Sequence, residues 1–258
     1  MIQDYVLRIR PAPLASVIKK LLRVRRTVIA TAHGRFYVDP ASVFGRVLFH
    51  GEEYEPTMCR TLEAYLKPSS VFVDVGANEG FFSVIAAKLV GTTGIVAAVE
   101  PQSRLMPVLT TNCDLNGANA IRLLQIAVSD SVGYSLLHLS PDTNPGSTSL
   151  WRSTRYKLPT ERVETLTLSQ VFDRQGFEYA DLVKMDIEGA EYEAILGSQD
   201  LFRTRRIGAL ALELHPAAIQ SRGLNPDDIH SFLHDAGYAI DSRFPNNVYR
   251  LTSFHQCT

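Results

Sequence analysis

Short apolar runs alternate with amphipathic segments along most of the chain after residue 70. Five apolar runs are predicted to be strands: Val71–Val75, Gly94–Val99, Ile121–Val128, Leu182–Met185 and Ala209–Leu214. Helical spacing of apolar residues occurs in four segments between most of these runs: Gly80–Val90, Gln102–Asn116, Ala190–Leu196 and Pro226–Ala236. Because the strands are apolar at nearly every position, both faces of their sheet are expected to be covered. The pattern therefore predicts an α/β fold on a mostly parallel sheet.

The two ends of the chain carry other patterns. Leu14–Val24 has apolar residues at helical spacing, and two β-rich runs flank His33-Gly34, which predicts a two-residue hairpin turn. Near the other end, Pro245-Asn246-Asn247 separates Tyr238–Phe244 from Val248–Ser253 and predicts a second hairpin, which gives the sheet an antiparallel edge.

These patterns divide the chain into an N-terminal helix and hairpin appendage, residues 1–53, and a main domain, residues 54–258. One long polar stretch of the main domain, Ser140–Pro159, has no clear period. A loop of that length inside a compact domain is usually functional or mobile.

The net charge and the positions of the basic residues limit the kinds of binding partner that are expected. The net charge is −1, so there is no global electrostatic reason to expect nucleic acid as a partner. Eight basic residues precede Val38: Arg8, Arg10, Lys19, Lys20, Arg23, Arg25, Arg26 and Arg35. They indicate a solvated helix face or, alternatively, a peripheral contact with a membrane surface or an anionic substrate. No run approaches the roughly 18 apolar residues of a transmembrane helix. The sequence carries no indication of an oligomeric state.

The number and spacing of the cysteines indicate the cellular compartment in which the protein is expected. The chain has three cysteines, an odd number, at Cys59, Cys113 and Cys257. They lie far apart in the sequence, and their spacing is not that of metal ligands. A reduced cytoplasmic location is therefore expected.

The stretch VFVDVGANEGFF, residues 71–82, joins the first core strand to a helix. Ligands of parallel sheets bind beyond the carboxyl ends of the strands, where the strand order reverses. Gly76 allows the backbone to turn, and Gly80 allows the helix to approach the strand closely. Five residues of this turn are candidates for cofactor binding: Asp74, Gly76, Ala77, Asn78 and Gly80.

Two classes of cofactor compete for this turn. Dinucleotide sites typically have a glycine where Asn78 stands, and the carboxylate of Asp74 would repel a pyrophosphate. S-adenosylmethionine carries an ammonium and a sulfonium, which a carboxylate would attract. The turn therefore favours S-adenosylmethionine.

The next two strand ends offer further contacts to such a cofactor. Glu100 ends the second strand, and its carboxylate is expected to accept hydrogen bonds from a ribose diol, which both cofactors have. The third run ends in LLQIAVSD, which predicts an adenine pocket at Ala127, Ser129 and Asp130. Asp130 fits the role of a turn former equally well.

Five ionisable residues end or follow the fourth and fifth strands: Lys184, Asp186, Glu188, Glu213 and His215. Neighbouring parallel strands would bring them together, and burying their charges costs free energy unless they pair, so they are the candidate active site. We predict that Asp186 or His215 takes the proton of an acceptor hydroxyl, that Glu188 and Glu213 orient the acceptor, and that Lys184 holds the carboxylates.

The same side chains could instead have purely structural roles or bind a metal ion. His215 could serve only to cap the end of a strand, and Lys184 with Glu213 could form an inert ion pair. Asp186 and Glu213, with or without His215, could also bind a divalent cation such as Mg²⁺, although the spacing is no recognised metal motif and a metal is not expected.

The order of DVGANEGFFS, VEPQ, AVSD, LVKMDIEGAEYEAILG and LELHP resembles the FkbM family of S-adenosylmethionine-dependent methyltransferases. The resemblance covers roughly Tyr54 to Leu214, and VKMDIEGAE is its most specific part. It implies a seven-stranded Rossmann-like sheet with a reversed last strand, and methyl transfer to a hydroxyl oxygen of a sugar or a natural-product scaffold. A YEP-like segment of the family corresponds to Tyr54-Glu55-Pro56. Glu55 there is expected either to meet the cofactor or the acceptor, or to be an exposed residue at the start of a helix.

Acceptor contacts are expected from the long polar stretch. Its candidates are Ser147, Ser149, Trp151 and Arg152, because an aromatic ring stacks on a sugar and Arg recognises anionic groups. Two rival functions stay open: a nicotinamide-dependent oxidoreductase, and a non-catalytic protein that has kept its cofactor cleft.

Overall fold

The structure is a computed structural model that describes residues 21, 23–118, 120–141, 144–151, 159–244 and 248–252. Several predictions fall wholly or mostly outside these residues: the helix at Leu14–Val24, the turn Pro245-Asn246-Asn247, Arg152, Cys257 and four of the basic residues, Arg8, Arg10, Lys19 and Lys20.

Twelve strands and nine helices, together with one short 3₁₀ turn at Pro145–Ser147, make up the described part of the chain. The strands are β1 (Thr27–Thr31), β2 (Gly34–Val38), β3 (Val71–Val75), β4 (Ile95–Val99), β5 (Arg122–Leu124), β6 (Ala127–Val128), β7 (Gly133–His138), β8 (Thr160–Leu166), β9 (Ala180–Met185), β10 (Ile207–Leu212), β11 (Tyr238–Ile240) and β12 (Val248–Leu251). The helices are α1 (Val43–Phe49), α2 (Pro56–Tyr65), α3 (Phe81–Val90), α4 (Met106–Leu115), α5 (Leu168–Gln175), α6 (Glu191–Leu196), α7 (Gln199–Arg203), α8 (Pro216–Gln220) and α9 (Asp227–Asp235).

The central sheet has seven strands in the order β11-β12-β10-β9-β3-β4-β5. The strands from β10 to β5 are parallel, whereas β12 runs antiparallel to both of its neighbours. The predicted fold class, a mostly parallel Rossmann-like sheet with a reversed last strand, is therefore confirmed. The chain moves outward from β3 to β5 and then returns to the other side of β3 with β9, so the strand order reverses at β3.

Both faces of the central sheet are buried, as its continuous apolar runs predict. Phe72 and Leu182 point into the core on one face, whereas Val73, Val75 and Val183 point into the core on the other. The alternation along each strand divides its side chains between the two cores. The ends of the strands are thus the parts of the sheet that are left for polar residues.

The predicted strand Ile121–Val128 is the main error in the sheet. Its first half is β5 in the central sheet, but its second half is β6, which pairs with β8 in a separate sheet of order β6-β8-β7. Gln125 and Ile126 between them belong to no strand, so the chain leaves the central sheet there. The strands β7 and β8 and the helices α1, α5, α7 and α8 were not predicted.

The predicted N-terminal hairpin is present. Thr31 pairs with Gly34, so Ala32 and His33 form the turn, one residue earlier than predicted. Phe36 and Val38 of β2 lie in the same apolar core as the main domain. The hairpin is thus packed into the body of the protein. Among the described helices, none combines the length and the apolar character that crossing a membrane requires.

Candidate active site

The glycine turn after β3 is held in conformations that suit glycine. Gly76 has a φ of +85°, and a Cβ atom there would lie 1.9 Å from the carbonyl oxygen of Asp186. Gly80 also has a φ of +85°, and a Cβ atom would lie 2.2 Å from Cδ1 of Leu109 on α4. The first glycine lets the turns after β3 and β9 touch, and the second lets α3 pack against α4. The turn predicted at Gly76 is present, whereas Gly80 allows a close approach between two helices and not, as predicted, between helix and strand.

A cleft opens at the carboxyl ends of β3, β4 and β9, where the strand order reverses, as expected for a nucleotide-binding sheet. Its volume is about 200 Å³. Eight residues predicted for the site line it: Glu55, Gly76, Asn78, Glu100, Ala127, Asp186, Glu188 and Glu213. Ala77 and Lys184 line a smaller recess beside it. These residues come from separate strand ends, and the fold places them together along one cleft.

Asp74 does not line the cleft, which corrects the expectation that it meets the cofactor. Its side chain is 0% exposed, because the alternation of β3 directs it towards α3. There Ser83 Oγ donates a hydrogen bond of 2.6 Å to Asp74 Oδ2. Burial raises the pKa of the Asp74 carboxyl, while Lys184 and the Ser83 hydrogen bond work in the opposite direction. Asp74 is thus part of the support beneath the site.

Glu100 is fixed by the backbone of its surroundings. The amide of Asn78 donates to Glu100 Oε2 at 2.9 Å, and the amide of Gln102 donates to Glu100 Oε1 at 3.0 Å. Burial raises the pKa of Glu100, and these two amides oppose that rise. Each carboxylate oxygen keeps lone-pair capacity for a further donor. Glu100 therefore has the position and the acceptor capacity that its predicted role requires.

The predicted adenine pocket is only partly formed by the residues expected. Ala127 lines the cleft, together with Val128, but Ser129 and Asp130 do not. β6 pairs with β8 in the second sheet, and the amide of Ser129 continues this pairing by donating to the Leu166 carbonyl oxygen at 2.8 Å. The exposed carboxylate of Asp130 accepts a hydrogen bond from Ser131 Oγ at 3.0 Å. Asp130 is thus a turn residue, which was the second role predicted for it.

The described part of the polar stretch covers the cleft. Asn144, Pro145, Gly146, Thr148, Ser149 and Leu150 line it. Ser149 Oγ donates to the carbonyl oxygen of Glu188 at 2.8 Å, which ties this cover to the acidic residues. Ser147 is not part of the lining, and its hydroxyl accepts a hydrogen bond from Asn144 Nδ2. Trp151 is 39% exposed beside the cleft, with the guanidinium of Arg222 stacked 4.0 Å from its ring.

Lys184 is the cation at the base of the site. Its Nζ atom lies 3.7 Å from Asp74 Oδ1 and 3.7 Å from Asp186 Oδ2, and it donates to the Gly76 carbonyl oxygen at 3.2 Å. Burial lowers the pKa of Lys184, but Asp186 and Asp74 outweigh burial and raise it. Lys184 therefore holds carboxylates, as predicted, although its closest partners are Asp74 and Asp186 rather than Glu213.

His215 stands beside the cleft rather than in its lining. Its Nε2 atom lies 3.5 Å from Glu188 Oε2 and 4.0 Å from Asp186 Oδ1. On the other side of the ring, Nδ1 lies 3.0 Å from Oε1 of Glu191. The hydrogen bond with Glu191 raises the pKa of His215 to about 9 against the opposing effect of burial. Burial raises the pKa of Glu188 to about 7, although His215 opposes the rise.

Glu55 and Glu213 complete the acidic rim, by which we mean Glu55, Asp186, Glu188 and Glu213. The backbone of Glu213 donates to the Met185 carbonyl oxygen at 2.9 Å, so the rim forms where β9 and β10 end side by side. Burial raises the pKa of Glu55 and also of Glu213, whose pKa Asp186 raises further. The juxtaposition predicted for the two strand ends is therefore present.

The geometry changes the set of residues that could bind a metal. Ligand atoms of Asp186, Glu188 and His215 come within 4.8 Å of one another, but Glu213 is not part of this group. Lys184 already stands 3.7 Å from Asp186, so a second cation at this carboxylate would be repelled by the first. Metal binding was not expected from the sequence, and this three-residue group leaves that prediction untested.

Three connections around the site were not predicted. Arg26 forms two hydrogen bonds of 2.9 Å to the carboxylate of Glu79, which links the N-terminal hairpin to the glycine turn. Val43 of α1 lines the cleft, and Glu191 contacts His215. Glu79 and Glu191 stand within the motifs GANEG and DIEGAE, so attention to every acidic residue of those motifs would have found them.

The sheet order and the cleft at the reversal point define a Rossmann-like α/β protein of the class I methyltransferase type. The family model described as "Methyltransferase FkbM domain" matches residues 74–240, more than half of the chain. The chain therefore belongs to the FkbM methyltransferase family and is a methyltransferase, which confirms the resemblance.

Two proteins of similar sequence and one solved structure illustrate what the chain is similar to. The chain is 32% identical to "Methyltransferase sdnD" of Sordaria araneosa over 203 residues, 67% of this chain and 75% of that protein. It is 24% identical to "AMB antimetabolite synthetase AmbE" of Pseudomonas aeruginosa over 212 residues, 69% of this chain but 10% of that protein. The crystal structure of Methyltransferase FkbM from Methylobacillus flagellatus KT is similar with a TM-score of 0.45 and 16% identity, over 74% of this chain and 50% of that one.

Proposed function

We propose that the protein transfers a methyl group from S-adenosylmethionine to a hydroxyl of a sugar, a glycan or another polyhydroxylated metabolite. The charge of the cleft carries this proposal. Six carboxylates line it, namely Glu55, Glu79, Glu100, Asp186, Glu188 and Glu213, whereas none of the described lining residues is Lys, Arg or His. Arg26, Lys184 and His215 pair with three of these carboxylates from outside the lining, and the acidic excess that is left attracts an ammonium and a sulfonium. The lining itself offers a pyrophosphate no cationic side chain.

Residues of the glycine turn and of β4 would hold the cofactor. Glu100 would accept hydrogen bonds from the ribose hydroxyls, and Ala127 with Val128 supplies an apolar wall for the adenine. The Oδ1 atom of Asn78 is buried and accepts no hydrogen bond within the described part of the chain, so it fits a donor such as an ammonium. When bound, S-adenosylmethionine supplies an electrophilic methyl group.

Asp186 is the general base of this proposal. A hydroxyl is a poor nucleophile while protonated, so a carboxylate that accepts its proton during attack contributes about 10²–10⁴-fold to the rate. Asp186 lines the cleft, whereas His215, the other predicted base, lies behind it at 4.0 Å from Asp186 Oδ1. His215 and Lys184 then act on Asp186 through their charges, and they stabilise the carboxylate in the position where it meets the acceptor.

The acidic rim and the cover of the cleft suit an acceptor rich in hydroxyl groups. Carboxylates accept hydrogen bonds from hydroxyls and repel phosphate or carboxylate groups. Ser149 lines the cleft and adds a hydroxyl, and the exposed ring of Trp151 is a surface on which a sugar ring can stack. The name of AmbE, an antimetabolite synthetase, adds natural-product scaffolds to the candidate acceptors.

Formation of S-adenosylhomocysteine tests the proposal when sugars, glycolipids and polyketides are supplied one at a time. Turnover with at least one hydroxylated acceptor is expected. Asp186→Asn should then lower kcat by about 10²–10⁴-fold while cofactor affinity stays within a few-fold of wild type. Asp235→Asn, which changes an exposed carboxylate at the end of α9, is the matched control and should keep wild-type turnover. Full activity of Asp186→Asn would remove Asp186 from this role.

Two expectations about the setting of the reaction accompany this proposal. A cytoplasmic location is proposed from the cysteine pattern, and the described thiols Cys59 and Cys113 are free and buried. A small-molecule or glycan acceptor, rather than nucleic acid, is proposed from the balanced overall charge and the acidic cleft. Peripheral membrane contact through the basic N-terminal stretch stays a prediction, since half of its basic residues lie outside the described chain.

A further inference from the structure

Three nitrogen atoms lie at hydrogen-bond distance from one carboxylate oxygen of Glu191, the first residue of α6. Its side chain is 0% exposed. Oε1 accepts from the backbone amide of Ile187 at 3.2 Å and from that of Gly189 at 3.1 Å, and it lies 3.0 Å from Nδ1 of His215. Burial of a carboxylate is costly unless hydrogen bonds offset it, and Oε2 has no hydrogen-bond partner within the described part of the chain, so the three contacts of Oε1 are what hold Glu191 in place.

The two amides flank Glu188, whose backbone conformation is unusual. Glu188 has a φ of +54°, in the left-handed region that non-glycine residues rarely adopt. Gly189 follows with a φ of +101°, and a Cβ atom there would lie 2.6 Å from Cβ of Ala218. Glu191 bonds to the amides on both sides of Glu188 and so stabilises the turn that directs the Glu188 side chain into the cleft.

The same oxygen determines which ring nitrogen of His215 is protonated when the imidazole is neutral. Oε1 of Glu191 already accepts two backbone N–H bonds, so it is an acceptor toward Nδ1 as well. Nδ1 must therefore be the protonated nitrogen of the neutral ring. Nε2 is then the atom that gains and loses a proton, and it is the atom that faces Glu188 and Asp186.

We propose that Glu191 is a positioning residue of this site, which holds His215 as its Nδ1–H tautomer with Nε2 directed at Asp186 and Glu188. Glu191 is not itself part of the cleft lining, but it bonds to the amide of Ile187, which is, so its effect on the chemistry passes through His215 and through the turn that carries Ile187 and Glu188. The proposal deepens the proposed function, because it concerns the group next to the base. It nevertheless describes the free protein and can be tested without turnover.

NMR of the ¹⁵N-labelled imidazole groups in the wild-type protein provides the test, with the His215 signals assigned by their loss in His215→Asn. Above the pH at which His215 loses its proton, the expected spectrum is that of a ring protonated at Nδ1 and bare at Nε2. The charged groups that face His215 are Asp186, Glu188, Glu191 and Glu213, and only Glu191 faces Nδ1 at hydrogen-bond distance. A ring protonated at Nε2 would overturn the proposal.

Glu191→Gln tests the same link by removing one charge with little change of shape. The titration midpoint of His215 is expected to fall by about one pH unit or more. Glu193→Gln is the matched control, because Glu193 stands on the same helix and pairs with Arg222 at 2.9 Å; it should leave His215 unchanged. An unshifted midpoint in a folded Glu191→Gln protein would contradict the proposal.

The outcomes separate this inference from the proposed function. If Glu191→Gln fails to fold, the tautomer of wild-type His215 still decides. If that tautomer is Nδ1–H but no hydroxylated acceptor is methylated, the role of Glu191 stands and the proposed acceptor class fails. If methyl transfer is found and the tautomer is Nε2–H, the function stands and Glu191 has no positioning role.

Discussion

Lys184 and Asp74 face each other across neighbouring strands, with Lys184 Nζ 3.7 Å from Asp74 Oδ1. Asp74 is 0% exposed, and Lys184 is nearly as deeply buried. Lys184 also contacts Asp186 at the base of the cleft, so one buried cation joins the carboxylate beneath the site to a carboxylate within it. Lys184 therefore links the strand that leads into the glycine turn, β3, to the first residue of the motif DIEGAE.

Removal of the Lys184 charge is therefore expected to destabilise the fold. Lys184→Met leaves the Asp74 carboxyl buried without its cation, and breaking a buried pair in this way costs about 3–5 kcal/mol. Urea denaturation followed by circular dichroism measures the change in the free energy of unfolding. Lys67→Met, at an exposed position, is the control and should change it by less than about 0.5 kcal/mol. Equal stability of the two variants would show that the Lys184–Asp74 pair contributes nothing.

Gly76 and Gly176 form a matched pair for testing the contact between the turns after β3 and β9. Both have positive φ angles, +85° and +68°, so alanine at either position costs roughly 1–2 kcal/mol of strain. Only at Gly76 would the new Cβ atom meet backbone, the Asp186 carbonyl oxygen at 1.9 Å, whereas nothing lies within 4 Å at Gly176. Gly76→Ala should thus lose about 1–3 kcal/mol more than Gly176→Ala in the same denaturation experiment. Equal losses would mean that the two turns do not touch.

The dependence of stability on pH follows from His215. Its pKa is raised from 6.5 to about 9 in the folded protein, so its contribution is complete below pH 6.5 and is lost as the pH rises through about 9. Glu188, with a pKa raised from 4.5 to about 7, changes stability in the same direction at lower pH. The free energy of unfolding should therefore fall between about pH 6.5 and pH 9.

His215→Asn should flatten this part of the stability profile. His234→Asn is the control, because His234 is exposed on α9 and has only its sequence neighbour Asp235 as a charged partner, at 3.4 Å, among the described residues. Chemical denaturation at closely spaced pH values gives both profiles. A slope in His215→Asn that matches the wild type would exclude His215 as its source.

The sequence predicted the central sheet because its core strands are continuous apolar runs between turn residues. Val71–Val75 matches β3 at both ends, and the predicted helices match α3, α4, α6 and α9 within a few residues. The second sheet was missed because β7 and β8 are half-buried and rich in polar residues, and their apolar positions alone did not stand out. Thr167 and Gln170 form a capping box at the start of α5, which could have indicated that helix.

The candidate site was predicted where strand ends alone determine position, and it was missed where contacts come from distant segments. Glu100, Asp186 and Glu213 follow strands of one sheet, so the topology brings them together. The direction of the Asp74 side chain depends on which face of β3 meets α3, and a strand buried on both faces gives no periodic signal for that choice. The pairing of Arg26 with Glu79 joins residues 53 positions apart, which no local pattern specifies.

Binding of S-adenosylmethionine, measured by isothermal titration calorimetry with NAD⁺ as the comparison ligand, tests the carboxylate-lined cleft most directly. We expect saturable binding of S-adenosylmethionine at one site and none of NAD⁺. Glu100→Ala should weaken that binding by about tenfold or more, since hydrogen bonds to a charged group are lost, and Glu63→Ala at an exposed position of α2 should not. Saturable binding of NAD⁺ without binding of S-adenosylmethionine would contradict this assignment of the cleft and favour an oxidoreductase.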